Sequence, residues 1–149
     1  MSIGHASSFR DLVVYRKARG VQRRVFELSK AFPKEEQYAL PRQIRRSSRS
    51  IGAQIAEAWA KRRYENHFVS KLTDADAEQQ EAQHWVETAQ ECEYLKHDEV
   101  AELMSDLFEI GRMLQSMIDK ASRFCGQPPT MLREAPAEYF VPTTDHADH

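Results

Sequence analysis

Between Val100 and Phe124 the chain reads VAELMSDLFEIGRMLQSMIDKASRF. Within it Val100, Leu103, Leu107, Ile110, Leu114, Met117, Ala121 and Phe124 recur at alternating steps of three and four residues. That spacing puts all of them on one face of an α-helix, as a heptad seam that has to be buried against other helices. Asp98 is a suitable N-cap and Gly126 a suitable stop, so the helix is expected over about 98–124. No β-strand pattern accommodates this stretch, and it sets the fold class for the rest of the chain.

Working outward, Phe68, Leu72, Ala75, Gln79, Ala82, Val86 and Ala89 step by four and three, predicting a helix over about 65–95. Its seam is rich in alanine and includes a glutamine, with Trp85 and Cys92 expected to broaden it. A helix over about 41–62 presents Ile44, Ser48, Ile51, Ile55, Ala58 and Trp59, and Pro41 fits its first turn. Its small residues, Gly52 among them, suit close approach of another backbone. A first helix over about 8–31 presents Phe9, Leu12, Ala18, Val21, Val25, Leu28 and Phe32, with Ser8 as N-cap and Pro33 as terminator. Short connections make consecutive helices antiparallel neighbours. The expected architecture is therefore an all-α, up-down-up-down four-helix bundle over residues 8–125. Residues 1–7 read as an N-terminal tail, and residues 126–149 as a Pro-containing tail, extended or disordered. Within the latter, Tyr139-Phe140-Val141 is apolar enough to dock on a groove.

Composition agrees. The 149 residues, 41% hydrophobic and 30% charged, suffice for one core and not for two. No apolar run is long enough for a transmembrane span, and the opening MSIGHASSFRDL lacks a leader's apolar core, so a cytoplasmic location is expected. Cys92 and Cys125 are read as small buried hydrophobes rather than a disulfide pair.

Few residues suggest catalysis. Glu81-x-x-His84 has the spacing used by di-iron bundles, but no second such pair exists, and the first two helices offer only Glu27 and Glu57 at interior positions. The other histidines (His5, His67, His97, His146 and His149) lack metal-ligand spacing. There is no glycine-rich phosphate loop and no nucleophile elbow. The chain is read as non-enzymatic, with no catalytic residue, metal or cofactor.

Charge is more informative. Residues 1–63 hold 15 Lys and Arg against 5 Asp and Glu, and residues 64–149 hold 6 against 18, for nets of +10 and −12. Such asymmetry suits a polyanion-binding surface or self-complementary assembly; two solvated halves is the plain alternative. Arg42, Arg45, Arg46 and Arg49 fall within an arc of about 100° on the second helix, opposite its apolar face. Lys61, Arg62 and Arg63 extend the charge at that helix's end, and Arg16, Lys17, Arg19, Arg23 and Arg24 add to it from the first. These seven residues from Arg42 to Arg63 are the candidate nucleic-acid contacts. No aromatic residue interleaves the arginine stripe, so backbone-phosphate contact or shape recognition is expected rather than base stacking.

Several segments also carry a resemblance. Phe9-x-Asp11-Leu12-x-x-Tyr15-x-x-Ala18 and Phe32-Pro33-x-Glu35 resemble the opening of the 23S rRNA intervening-sequence protein family. So does Tyr38-Ala39-Leu40-x-x-Gln43-Ile44-Arg45-Arg46-Ser47, followed by Ser50-Ile51 and Ile55-Ala56-Glu57. Glu91-Cys92-x-Tyr94-Leu95 is similar to that family's turn into its last helix. The accessory variability determinant of diversity-generating retroelements is a relative within it. The chain departs from the usual Asn-Ile-Ala-Glu-Gly at Gln54-Ile55-Ala56-Glu57-Ala58. It departs again from a mid-helix Gly-Ser at Asp74-Ala75-Asp76-Ala77-Glu78. The resemblance implies a four-helix bundle that assembles into a homopentamer and binds nucleic acid, RNA in preference to DNA. The competing expectation is a structural adaptor that binds protein partners and uses its charged faces for self-assembly.

Overall fold

The computed structural model describes residues 8–126 and 137–142, and in them the chain forms four long helices. These are α1 (Val13–Ser29), α2 (Leu40–Ala60), α3 (Glu65–Glu91) and α4 (His97–Asp119). The expected N-terminal tail 1–7, the prolines Pro128, Pro129 and Pro136, and His5, His146 and His149 lie outside the described residues. Each helix packs on its two neighbours around a square, α1 on α2 and α4, α3 on α2 and α4, and the α2–α3 interface is the most extensive. Side-chain pairs fix the antiparallel sense. Arg46, near the start of α2, meets Glu81 in the second half of α3, while Lys71, near the start of α3, meets Glu57 near the end of α2.

The seams read from the sequence form the core. All eight positions of the α4 seam are buried, and so are all seven of α3, Gln79 included. Burial of such a polar side chain requires partners. Gln79 Nε2 donates to Asp76 Oδ1 at 2.9 Å, and Gln79 Oε1 accepts from Gln83 Nε2 at 2.6 Å. Gly52 on α2 is the expected close approach: a Cβ there would lie 3.4 Å from the ring of Tyr15.

The helix ends differ from expectation for local reasons. Ser8 and Asp11 do form a capping box, but it caps a single 3-10 turn (Phe9–Asp11), and extended backbone at Leu12 delays α1 to Val13. α4 starts one residue early, at His97, because Glu99 rather than Asp98 satisfies the end, its carboxylate accepting the Lys96 N–H at 2.8 Å. α4 also ends early, at Asp119; Ala121 and Phe124 stay buried through a 3-10 turn, and Gly126 closes it with φ +67°. α3 stops at Glu91, where Glu93 takes a left-handed conformation (φ 64°). Cys92, at that C-terminus, is exposed, which corrects its reading as a buried hydrophobe; Cys125 is buried as expected.

Residues 137–142, expected within a tail, close one end of the bundle. Tyr139 and Phe140 are buried, Phe140 pairs with Leu12 in an isolated β-bridge, and the Val141 N–H donates to the Asp11 carbonyl at 2.7 Å. The Phe124 ring meets Tyr139 edge-on, and Trp59 meets Phe140 edge-on. Among the described residues no helix is long and apolar enough to cross a membrane.

Candidate nucleic-acid interface

The outward face of α2 is set by its inward one. Ile44, Ser47, Ser48, Ile51 and Ile55 are buried, which turns Arg42, Arg46 and Arg49 to the surface and leaves Arg45 half-buried at the α1 boundary. The four arginines line one open groove together with Gln37, Tyr38, Ser50 and Ala53.

Their environments are unequal. Arg45 Nε donates to Ser29 Oγ at 2.7 Å, and its guanidinium lies over the Phe26 ring at 5.0 Å. Arg49 lies over the same ring at 5.7 Å and Lys30 Nζ at 4.6 Å, so one aromatic ring on α1 gathers three cations. Arg46 instead faces α3, with Nη2 2.5 Å from Glu81 Oε1 and Nη1 3.5 Å from Glu78 Oε2. Its hydrogen bond to Glu81 raises the Arg46 pKa and holds the Glu81 carboxyl below the usual range. Glu78 moves the other way: burial pushes it up, and the hydrogen bond with Glu81 adds to the rise. Its buried Oε2 makes no hydrogen bond. Among the described residues Arg42, Arg45 and Arg49 form no ion pair, so three of the four positive charges in the groove have no internal counter-charge.

Lys61, Arg62 and Arg63 stand apart. They begin about 18 Å along the axis from Arg49, at 1.5 Å per residue. Lys61 and Arg63 are exposed. Arg62 is folded onto the bundle: its guanidinium lies 3.5 Å from the Trp59 ring centre, Nε donates to the Trp59 carbonyl at 2.8 Å, and its own carbonyl accepts the Gly126 N–H. Burial lowers its pKa without discharging it near neutrality. On α1, Lys17 is held between Asp106 and Glu109, while Arg19, Arg23 and Arg24 are exposed.

Two aromatic residues have no part in the sequence reading of the stripe. Tyr38 lines the groove from the turn before α2 with 75% of its surface exposed, and Phe26 on α1 is the ring against which Arg45 and Arg49 lie. The absence of an aromatic residue within the stripe therefore does not carry over to the groove. Of the Glu81-x-x-His84 pair, Glu81 is committed to Arg46 and to the Trp85 indole N–H, while the exposed His84 ring packs edge-on against Trp85. Glu27 and Glu57, expected at interior positions, are instead exposed.

The fold and this surface define a class: an antiparallel four-helix bundle with a cationic groove along one helix. The chain belongs to the 23S rRNA-intervening sequence protein family, whose model matches residues 10–116. It is similar to a crystal structure of a protein of unknown function from the S23 ribosomal protein family of Bacteroides thetaiotaomicron VPI-5482. That likeness has 31% identity and a TM-score of 0.65, and covers 72% of this chain and 96% of that one. No curated protein matches the chain. The family match spans the groove but not the docked segment 137–142.

Proposed function

We propose that this protein is a non-enzymatic, cytoplasmic, nucleic-acid-binding scaffold that acts on RNA in preference to DNA. The observation that carries the reading is the groove itself: four arginines from one helix, three of them in no ion pair among the described residues. Like charges at this helical spacing repel, so the arrangement costs helix stability that a polyanion would recover. Arginine suits phosphate because its planar fork grips two oxygens and stays charged. The name of the family, which refers to an rRNA intervening sequence, supports RNA as the partner.

The test is a salt titration by fluorescence anisotropy with labelled RNA and DNA of equal length. Affinity should fall steeply between about 50 and 200 mM salt. Replacing Arg42 and Arg49 together with glutamine should lower the log–log salt slope by about 0.7 to 0.9 for each phosphate contact removed. Unchanged affinity and slope would reject the groove as the binding surface.

The same reading includes a closed homo-oligomer, a pentamer. Head-to-tail contacts let the basic α1–α2 side of one subunit face the acidic α3–α4 side of the next. Phe108, half exposed on α4, adds apolar area to that side. If the groove serves only this contact, the chain is a structural adaptor for protein partners. The Arg42/Arg49 variant would then lower the mass seen by light scattering rather than weaken RNA binding.

A further inference from the structure

We infer that Tyr38 turns the arginine groove into a seat for an unpaired base, so that the ligand is single-stranded RNA rather than duplex. The inference rests on the nucleic-acid reading above and names the form of nucleic acid the groove accepts.

Tyr38 is 75% exposed and lines the same groove as Arg42 and Arg49. Its backbone is held on both sides. The Gln37 N–H donates to the Lys34 carbonyl at 3.1 Å, and the Ala39 N–H to the Glu36 carbonyl at 2.8 Å. Tyr94 hydroxyl, from beyond the end of α3, donates to Glu36 Oε1 at 3.0 Å and ties the turn to the bundle. A large aromatic face is thus presented to water on a fixed turn, beside phosphate-binding side chains. Single-strand sites combine those two parts, a cationic track for the backbone and a ring on which a base stacks. An A-form duplex offers the groove its phosphates and hydroxyls, but its base faces are already stacked on one another. Gln37, in the same wall, adds an amide able to donate to and accept from a base edge.

The probes are a labelled uridine decamer, the same length of abasic strand, and a hairpin duplex, titrated by anisotropy. Tyr38→Ala should weaken binding of the uridine strand about tenfold, the loss expected for one stacked base. It should leave abasic-strand and duplex affinities and all salt slopes unchanged, and Tyr38→Trp should restore binding of the uridine strand. Suppose Tyr38→Ala binds the uridine strand as the wild type does, while the Arg42/Arg49 double variant loses affinity. The stacking inference then falls and the nucleic-acid reading stands. If the double variant also binds normally, both fall. A lower mass for Tyr38→Ala in light scattering would make Tyr38 a subunit contact and overturn the inference.

Discussion

Arg46 Nη2 lies 2.5 Å from Glu81 Oε1, and this one contact ties the middle of the outward arginine row of α2 to α3. Glu78 stands behind it, its buried Oε2 3.5 Å from Arg46 Nη1 and without a hydrogen bond. One cation therefore holds two carboxylates together. Arg46→Gln should destabilise the fold by about 1 kcal/mol at pH 7, the scale of a partly exposed pair. The pH dependence follows from sign. Arg46 depresses the Glu81 pKa, so Glu81 contributes stability that is present above the ordinary carboxylate range and lost as pH falls through its lowered value. Glu78 has a raised pKa, so its charged form already disfavours the fold as pH rises, and loss of Arg46 worsens this. Both effects shrink once the pair is protonated. Urea unfolding at pH 7 and near pH 3 should show the wild-type advantage narrowing in acid; an equal difference at both values would sink this account.

A second prediction concerns the α3–α4 contact. A Cβ at Gly111 would lie 2.9 Å from Gln79 Nε2, the atom that donates to Asp76. Alanine in mid-helix is ordinarily worth about 1 kcal/mol over glycine. Here the added methyl displaces a buried amide from its partner, which costs about as much. Gly111→Ala alone should change stability little. In a Gln79→Ala background, where the clash is gone, it should stabilise by about 1 kcal/mol, giving a non-additive double-mutant cycle by thermal or urea unfolding. Additivity would mean that the two side chains do not meet.

The cysteines give a chemical test of the end of the bundle. Burial pushes the Cys125 thiol up to about 11, so almost none of it is thiolate at pH 8. Cys92 is exposed at the C-terminus of α3. A thiol reagent such as Ellman's should therefore titrate one cysteine rapidly in the native protein at pH 8 and two after unfolding. Cys92→Ser should abolish the rapid reaction. Rapid modification of both thiols would show that the end formed by α4 and residues 137–142 opens readily.

What the sequence discloses depends on whether a feature is local to one helix. The seams of α3 and α4 were legible to the residue, Gln79 included, because a three-and-four repeat assigns inside and outside along its own axis. The groove was half legible. Its arginines share a helix, but Tyr38 reaches it from a turn, the Phe26 ring that meets Arg45 and Arg49 lies on α1, and no periodicity within α2 reports on either. Cys92 was misplaced because the register was extended past the point where α3 stops. The docking of Tyr139 and Phe140 was foreseeable as an apolar segment, whereas its seat, built from Leu12, Trp59, Ser116 and Phe124, joins residues from three helices and their ends.

The last prediction separates the two ends of α2. Arg62 was grouped with Lys61 and Arg63 as a nucleic-acid contact on charge alone. At 100° per residue it sits about 200° round the helix from Arg42, on the opposite side from the stripe. The structure places it accordingly, with its guanidinium on the Trp59 ring and Nε on the Trp59 carbonyl. Arg62→Gln should cost about 1 to 2 kcal/mol of stability, through loss of the cation–π contact and a charge-assisted hydrogen bond. Its RNA salt slope should match the wild type. Lys61→Gln with Arg63→Gln should do the reverse: stability close to wild type, because both side chains are exposed, and a lower salt slope if the bound strand is long enough to cover about 18 Å of helix beyond Arg49. Chemical unfolding and anisotropy titrations on the two variants give the comparison. A reduced salt slope for Arg62→Gln at unchanged stability would return Arg62 to the binding surface.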